Sequence, residues 1–142
     1  MRYVAIDCET HLIEPGRLAP PIVCLSWCSL DDGGVLLPTE ARTQLKTWLS
    51  DSNVRLVAHN ARFDMLVIYI CFAELRPLIW KAYCEDRIYC TLVAQKLSKI
   101  RYGHSKFDPR TGKRPRYSLA ACVSDLLDEE VEGKDDHDAW RR

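Results

Sequence analysis

Two acids, Asp7 and Glu9, follow the apolar run Val4-Ala5-Ile6 near the start of the chain. The run reads as a buried strand over Arg2 to Ile6. Side chains alternate along extended backbone, so Asp7 and Glu9 emerge on one face of it. Carboxylates this close repel, and neither is comfortable beside an apolar core unless a cation sits between them. A hard divalent ion held by oxygen ligands is the economical answer. The bland alternative is an exposed strand end where both acids are inert. A second cluster, His59-Asn60-Ala61-Arg62-Phe63-Asp64, adds a third carboxylate. Asp64 falls in the first turn of an expected helix, where the macrodipole favours an acid for structural reasons alone. Phe63 reads as core.

The elements that must position these acids can be read in outline. Ile22–Cys28 and Val35–Leu37 are expected strands, joined through the turn residues Asp31-Asp32-Gly33-Gly34 as a hairpin. Thr39 is the expected cap of a helix whose inner face carries Leu45, Trp48 and Leu49. Arg55–Ala58 reads as a fourth strand. A helix from Ala61 to about Leu75 follows, with Phe63, Leu66, Val67 and Ile70 inward and Pro77 as a stop. Ile79–Cys84 is expected as a short strand and Asp86–Leu97 as a helix, its apolar face made by Ile88, Leu92, Val93 and Leu97. Ser118 is the expected cap of a last helix through Leu127. A meander followed by strands alternating with helices predicts an α/β domain with a mixed sheet. Ligands in such sheets gather at strand ends. Asp7 and Glu9 lie at one end, and His59 and Asn60 share it if the fourth strand runs parallel beside the first.

The chain has 142 residues, 47% of them hydrophobic, which suits one globular domain over 1–142 with a substantial core. No apolar run reaches a membrane span and no export signal opens the chain, so a cytoplasmic protein without membrane partners is expected. Seven cysteines, an odd number, sit mostly in apolar segments, as reduced thiols do. Cys24 and Cys28 have no second pair at metal-ligand spacing, which argues against zinc. The formal net charge is zero, but its distribution is uneven. Seven basic residues and one acid lie between Lys99 and Arg116, and eight acids with one lysine between Asp125 and Asp138. The basic stretch is expected as a loop.

Asp7-Cys8-Glu9-Thr10 resembles the first motif of the four-carboxylate (DEDD) 3′→5′ exonucleases, and Asn60-Ala61-Arg62-Phe63-Asp64 resembles the second. The proofreading domains of family A DNA polymerases and the RNase D branch look most similar. Asp86-Arg87-Ile88-Tyr89-Cys90-Thr91 is similar to an Asp-Thr helix start of those domains, and Tyr117-Ser118-Leu119 to the Ser-Leu start that follows. The resemblance implies an RNase H-like mixed sheet flanked by helices and a two-metal site for magnesium or manganese. It implies that Asp7 bridges both ions, that Glu9 holds one and touches the terminal 3′-hydroxyl, and that Asp64 positions the second. It also implies that Thr10, Leu12, Ile13 and Asn60 contact substrate, with Leu12 or Ile13 wedged against the terminal base, a contact that tolerates any sequence. The implied ligand is a single-stranded DNA 3′ end, with RNA as the variant.

The family also has a fourth carboxylate in a Tyr-x-x-x-Asp or His-x-x-x-x-Asp arrangement. That carboxylate lies on a late helix in the family, and neither pattern occurs past Asp64. His104 and Asp108 have the wrong spacing, Asp136 and Asp138 lack a partner Tyr or His, and Trp140-Arg141-Arg142 resembles what precedes the absent motif. The expectation is a domain whose C-terminal part is missing, with an incomplete metal site that a polymerase domain or a separate chain could complete. The competing reading is a catalytically inactive module that binds nucleic-acid ends or a partner protein, its basic stretch contacting phosphates. A third is a structural α/β domain whose acids are incidental.

Overall fold

The architecture follows from how the short apolar stretches pair. In the computed structural model, which describes residues 1–103, 112 and 116–129, the chain divides into two compact units, Met1–Thr91 and Leu92–Arg142. The first holds a five-stranded sheet built from β1 (Arg2–Thr10), β2 (Ile22–Cys28), β3 (Gly33–Leu36), β4 (Val54–Ala58) and β5 (Ile88–Cys90), in the spatial order β3-β2-β1-β4-β5. The first three strands pair antiparallel, whereas β4 runs parallel to both β1 and β5. The expected mixed α/β sheet and its opening hairpin are both present.

β1 is longer than the apolar run suggests. It continues through Thr10 because β2 keeps pairing with it, Asp7 opposite Ser26 and Glu9 opposite Cys24. Asp7 and Glu9 therefore lie within the strand rather than beyond its end. Only one face of β1 is buried, through Val4, Ile6 and Cys8, while Tyr3, Ala5, Asp7 and Glu9 are exposed. Past Glu9 the ladder steps to Thr10 opposite Ile22, leaving Val23 as an extra residue on β2. Such a bulge bends the strand at the acids.

The buried face carries Val4, Leu25 and Leu56, packed in one core with side chains of α1 (Pro38–Ser50), α2 (Ala61–Cys71) and α3 (Arg76–Cys84). From α1 come Leu45, Trp48 and Leu49, as its helical spacing requires. Trp48 meets Trp27 with ring centroids 5.3 Å apart. The cap of α1 is Leu37, not Thr39. Pro38 lacks an amide hydrogen and fits the first helical position, and Glu40 accepts from the Leu37 amide at 3.1 Å.

Between β4 and β5 the structure departs from expectation. α2 ends at Cys71, a 3-10 turn covers Ala73–Leu75, and α3 occupies the stretch expected as a strand. Pro77 opens α3 rather than stopping a helix, and Leu75, Ile79 and Ala82 recur at helical spacing as its buried side. The expected helix from Asp86 is instead β5 followed by α4 (Thr91–Arg101), which begins on the first unit's last residue. Asp86 has φ 58°, a left-handed conformation that breaks any helix through it. Within α4 the buried residues are Gln95 and Lys99, and Val93 and Leu97 are exposed.

In the second unit Ser118 caps α5 (Leu119–Leu127) as expected, accepting from the Ala121 amide at 3.3 Å. Lys99 lies in α4 rather than in a loop and ion-pairs with Asp125 at 2.8 Å. The rest of the basic stretch, with His104 and Asp108, falls largely outside the described residues, as do Asp136 and Asp138. Among the described residues no helix is long and apolar enough to cross a membrane. All seven cysteines are unbridged.

Arg87, only 2% exposed, ties the sheet to α1. Its guanidinium donates to the carbonyls of Leu49 (2.9 Å), Asp51 (3.3 Å) and Val54 (3.4 Å) and to the Glu85 carboxylate (2.8 Å). The first two of these carbonyls belong to the end of α1, where backbone acceptors lack partners and a cation is favoured. Arg87→Met keeps the stem but strands these acceptors. It should destabilise the protein by about 3 kcal/mol in urea unfolding, whereas a loss below ~1 kcal/mol would mean that water serves these carbonyls equally well.

Candidate active site

The site is built where β1 outlasts its parallel neighbour. Pairing between β1 and β4 runs from Arg2–Val54 to Ala5–Val57 and stops, because the chain turns at His59 and Asn60 into α2. The Cys8 amide faces the edge that β4 has vacated. Asp64, on the first turn of α2, fills the gap and accepts that amide at 2.9 Å. Asp64 is 1% exposed, so a carboxylate has been driven into the core edge to complete a sheet hydrogen bond.

The turn that aims α2 depends on Asn60, whose φ of 65° is left-handed. Asparagine tolerates that conformation better than most residues. Its side chain makes no capping bond, while its carbonyl accepts from the Phe63 amide at 2.8 Å. Beside it, His59 Nδ1 lies 2.9 Å from the Thr91 hydroxyl, which also reaches the Ala58 carbonyl at 3.4 Å. Asn60 thus has a backbone role that the sequence did not disclose. Asn60→Gly should retain the stability of the parent within about 0.5 kcal/mol, since glycine accepts the same φ. A substrate role for the amide would then appear as weakened oligonucleotide binding without loss of thermal stability.

Electrostatics couple two of the expected acids. Burial first, then the charge of Asp7, raises Asp64 from 3.8 to about 6, against the lowering effect of the Cys8 amide. The Cys8 thiol between them is pushed far up by burial and by the charges of Asp64 and Asp7, and stays protonated. Asp64 is thus tied to the β1 edge at Cys8, the residue that follows Asp7 in the strand. Glu9 is exposed on the same face as Asp7, one strand period further along. Among the described residues no three His, Cys, Asp or Glu side chains stand close enough together to hold an ion. What fits a cation is the donor chemistry: oxygen ligands only, one of them buried and repelled by its neighbour, a repulsion that a cation would relieve.

The expected substrate contacts lie just beyond. Thr10 is half-buried at the end of β1, and Leu12 and Ile13 are 89% and 70% exposed in the loop that follows. Two aliphatic side chains left in solvent next to the acids are available to a ligand. Phe63 and Ile70 pack against the core only in part and Leu66 is exposed. The buried side of α2 is instead Ala61, Asp64, Met65, Val67 and Ile68. Burial of Asp64 has no signature in the sequence, where a first-turn acid looks like a surface residue.

A family model described as 3′-5′ exonuclease matches residues 1–140. The chain belongs to this 3′-5′ exonuclease family. Among solved structures it is similar to Brucella melitensis NrnC, at 21% identity and a TM-score of 0.62, covering 93% of this chain and 55% of that one. It is also similar to the Aedes aegypti Nibbler EXO domain, at 14% identity and a TM-score of 0.65, covering 99% and 65%. The chain thus spans between half and two thirds of the length of either structure. No curated protein matches it. The fold is the RNase H-like α/β sheet of these exonucleases, as the resemblance of the motifs implied.

The raised value of Asp64 has a stability consequence in this exonuclease fold. Between pH 3.8 and about 6 the unfolded chain releases a proton that the folded chain keeps, so stability falls as pH rises through that window. Above it the loss is complete, on the order of 3 kcal/mol at ~1.4 kcal/mol per pH unit. Asp64→Asn keeps an acceptor for the Cys8 amide without the charge. In thermal melts with chelator its advantage over the parent should be large at pH 7.5 and vanish toward pH 4. A gap that is constant with pH would place the titration elsewhere.

Proposed function

We propose that the chain is a metal-dependent 3′→5′ exonuclease domain acting on single-stranded 3′ ends, of DNA in the first instance and of RNA as the variant. The observation that carries this reading is the buried Asp64 held by the Cys8 amide, next in the strand to Asp7, in a member of the exonuclease family. Asp7, Glu9 and Asp64 would hold magnesium or manganese. When bound, such ions neutralise charge at the phosphodiester and activate the attacking water. The chain's own contribution is positional. Asp64 is fixed by the Cys8 amide and Asp7 by its place in a paired strand, so neither acid must be ordered when substrate arrives. Leu12 and Ile13 offer apolar surface to the terminal base, and Thr10 and Asn60 flank the acids. A fourth carboxylate, from a polymerase domain, a separate chain or residues beyond those described, would complete the set. The seven unbridged cysteines suit a reducing, cytoplasmic setting.

One observation favours the second reading, a binding module without hydrolysis: the acids do not yet converge as a ready ion site among the described residues. The two readings separate in one assay. Single-stranded DNA and RNA are offered with magnesium or manganese, and shortening from the 3′ end is followed. Metal-dependent shortening that drops at least ~100-fold in Asp7→Ala supports the exonuclease. Binding without shortening, unaffected by chelator, supports the module. Manganese affinity, read by paramagnetic broadening, should be on the order of millimolar and weaker still in Asp7→Ala.

A further inference from the structure

The sheet of the first unit has a second face, opposite the one packed against α1, α2 and α3. Strands β1, β4 and β5 run parallel, an arrangement that proteins ordinarily bury on both sides. Here the central strand leaves Tyr3, Ala5, Asp7 and Glu9 exposed. The register arranges this face in rows. Ala5 stands beside Cys28 on β2 and Val57 on β4, and Val57 beside Tyr89 on β5, a middle row without charge. Two residues toward one end lies Asp7, opposite Ser26. Two toward the other end lies Tyr3, opposite Arg55, whose guanidinium is 5.8 Å from the centre of the Tyr3 ring. The Arg55 Nε is buried without a hydrogen-bond partner. Asp7 and Glu9 thus make one end of the face negative and Arg55 makes the other positive, with an uncharged strip between.

From this polarity we propose that the face is a two-fold interface with a second copy of this chain. A two-fold axis that joins two such faces lies in the plane between them, along the strands or across them. An axis along β1 sets Asp7 of one copy over the partner's Asp7, and like charges face to face are costly. An axis along the middle row reverses the strand direction instead. It lays Asp7 of each copy over the Tyr3–Arg55 row of the other and sets Ala5, Cys28 and Val57 against their own copies. Charge therefore selects the second axis, and every contact then occurs twice, as an isologous interface requires. A helix of another protein would have to reproduce this polarity, whereas a second copy carries it already. Packed sheets stand about 10 Å apart, a gap that an arginine and an aspartate side chain bridge together. Five strands, over the length from Tyr3 to Glu9, offer about 500 Å² per copy at the usual strand spacing. The total of about 1,000 Å² is that of a weak, reversible complex. Such a dimer does not depend on hydrolysis, yet it places Asp7 under the partner's sheet, so this acid is open to solvent in the monomer alone.

The test uses the whole chain with chelator and without nucleic acid. Sedimentation over a concentration series should show a monomer–dimer equilibrium in the micromolar range. Arg55→Glu and Asp7→Arg should each weaken association at least ~10-fold, because each sets like charges against one another. The double variant Asp7→Arg/Arg55→Glu restores opposite charges across the interface and should recover the parent's constant within about 3-fold. Cys28 meets its own copy at the axis, so a short bismaleimide should join two parent chains. That link should survive Cys84→Ser, which removes the other exposed thiol, and be lost in Cys28→Ser. The crosslink is read on chains with their charges intact, so it decides the matter even where a charge variant does not fold. A parent that stays monomeric up to millimolar concentration overturns the interface, as does crosslinking through Cys84 alone. A dimer indifferent to both single charge changes overturns it too, since association then uses another surface, and a folded double variant no better than the single ones overturns the charge register.

Discussion

A hydrogen bond from the Cys8 amide to a buried carboxylate organises the first unit of this chain. A sheet edge inside a core must find acceptors for its amides, because an unpaired buried N–H costs about as much as a lost hydrogen bond. β4 serves β1 only as far as Ala5, since the chain must turn away to begin α2. The amide at Cys8 could have been met by another strand or by water. It is met by Asp64, and that choice places a charge where solvent cannot reach it. The rise of Asp64 follows from that placement, and the protonated state of Cys8 from its own burial together with the charges of Asp64 and Asp7.

The remainder of the unit holds that edge in place. Arg87 binds three carbonyls around the α1–β4 junction, and β4 sets where α2 begins. Asn60 supplies the left-handed residue that lets β4 end and α2 start within two residues. The bulge at Glu9–Thr10 bends β1 away just past the acids. All of these bear on the strand end where Asp64 accepts the Cys8 amide beside Asp7. Energy is concentrated where it constrains direction: a buried arginine with several acceptors resists sliding far more than an equal area of apolar contact.

How much of this could be read from the chain differs by element, for physical reasons. The meander was legible because alternation and turn residues are local signals, and Ser118 was legible because a cap is a side chain beside its own helix. Ile79–Cys84 was not, since a six-residue apolar run has no period of its own until a partner chooses one. Pro77 signals a boundary without saying which side of it is helical. The acids stand out by type and spacing, and a shared role for them comes from the order of the motifs alone. Burial of Asp64 and Arg87 depends on contacts between residues 56, 33, 36 and 38 positions apart, which no window of sequence contains.

One helix, α2, presents two different surfaces. On α2, Ala61, Asp64 and Ile68 are buried, while Arg62 and Leu66 are exposed and, with Met65 and Tyr69, line a groove shared with α3. Residues on either side of Asp64 thus serve a different surface from Asp64 itself, because successive side chains on a helix are turned by about 100°. A shift of α2 along its axis would move the acid and the groove together, and the Cys8 amide opposes such a shift. Rigid coupling of this kind keeps the two surfaces of the helix in a fixed relation. An acid carried on a loop would leave the two surfaces free to drift apart.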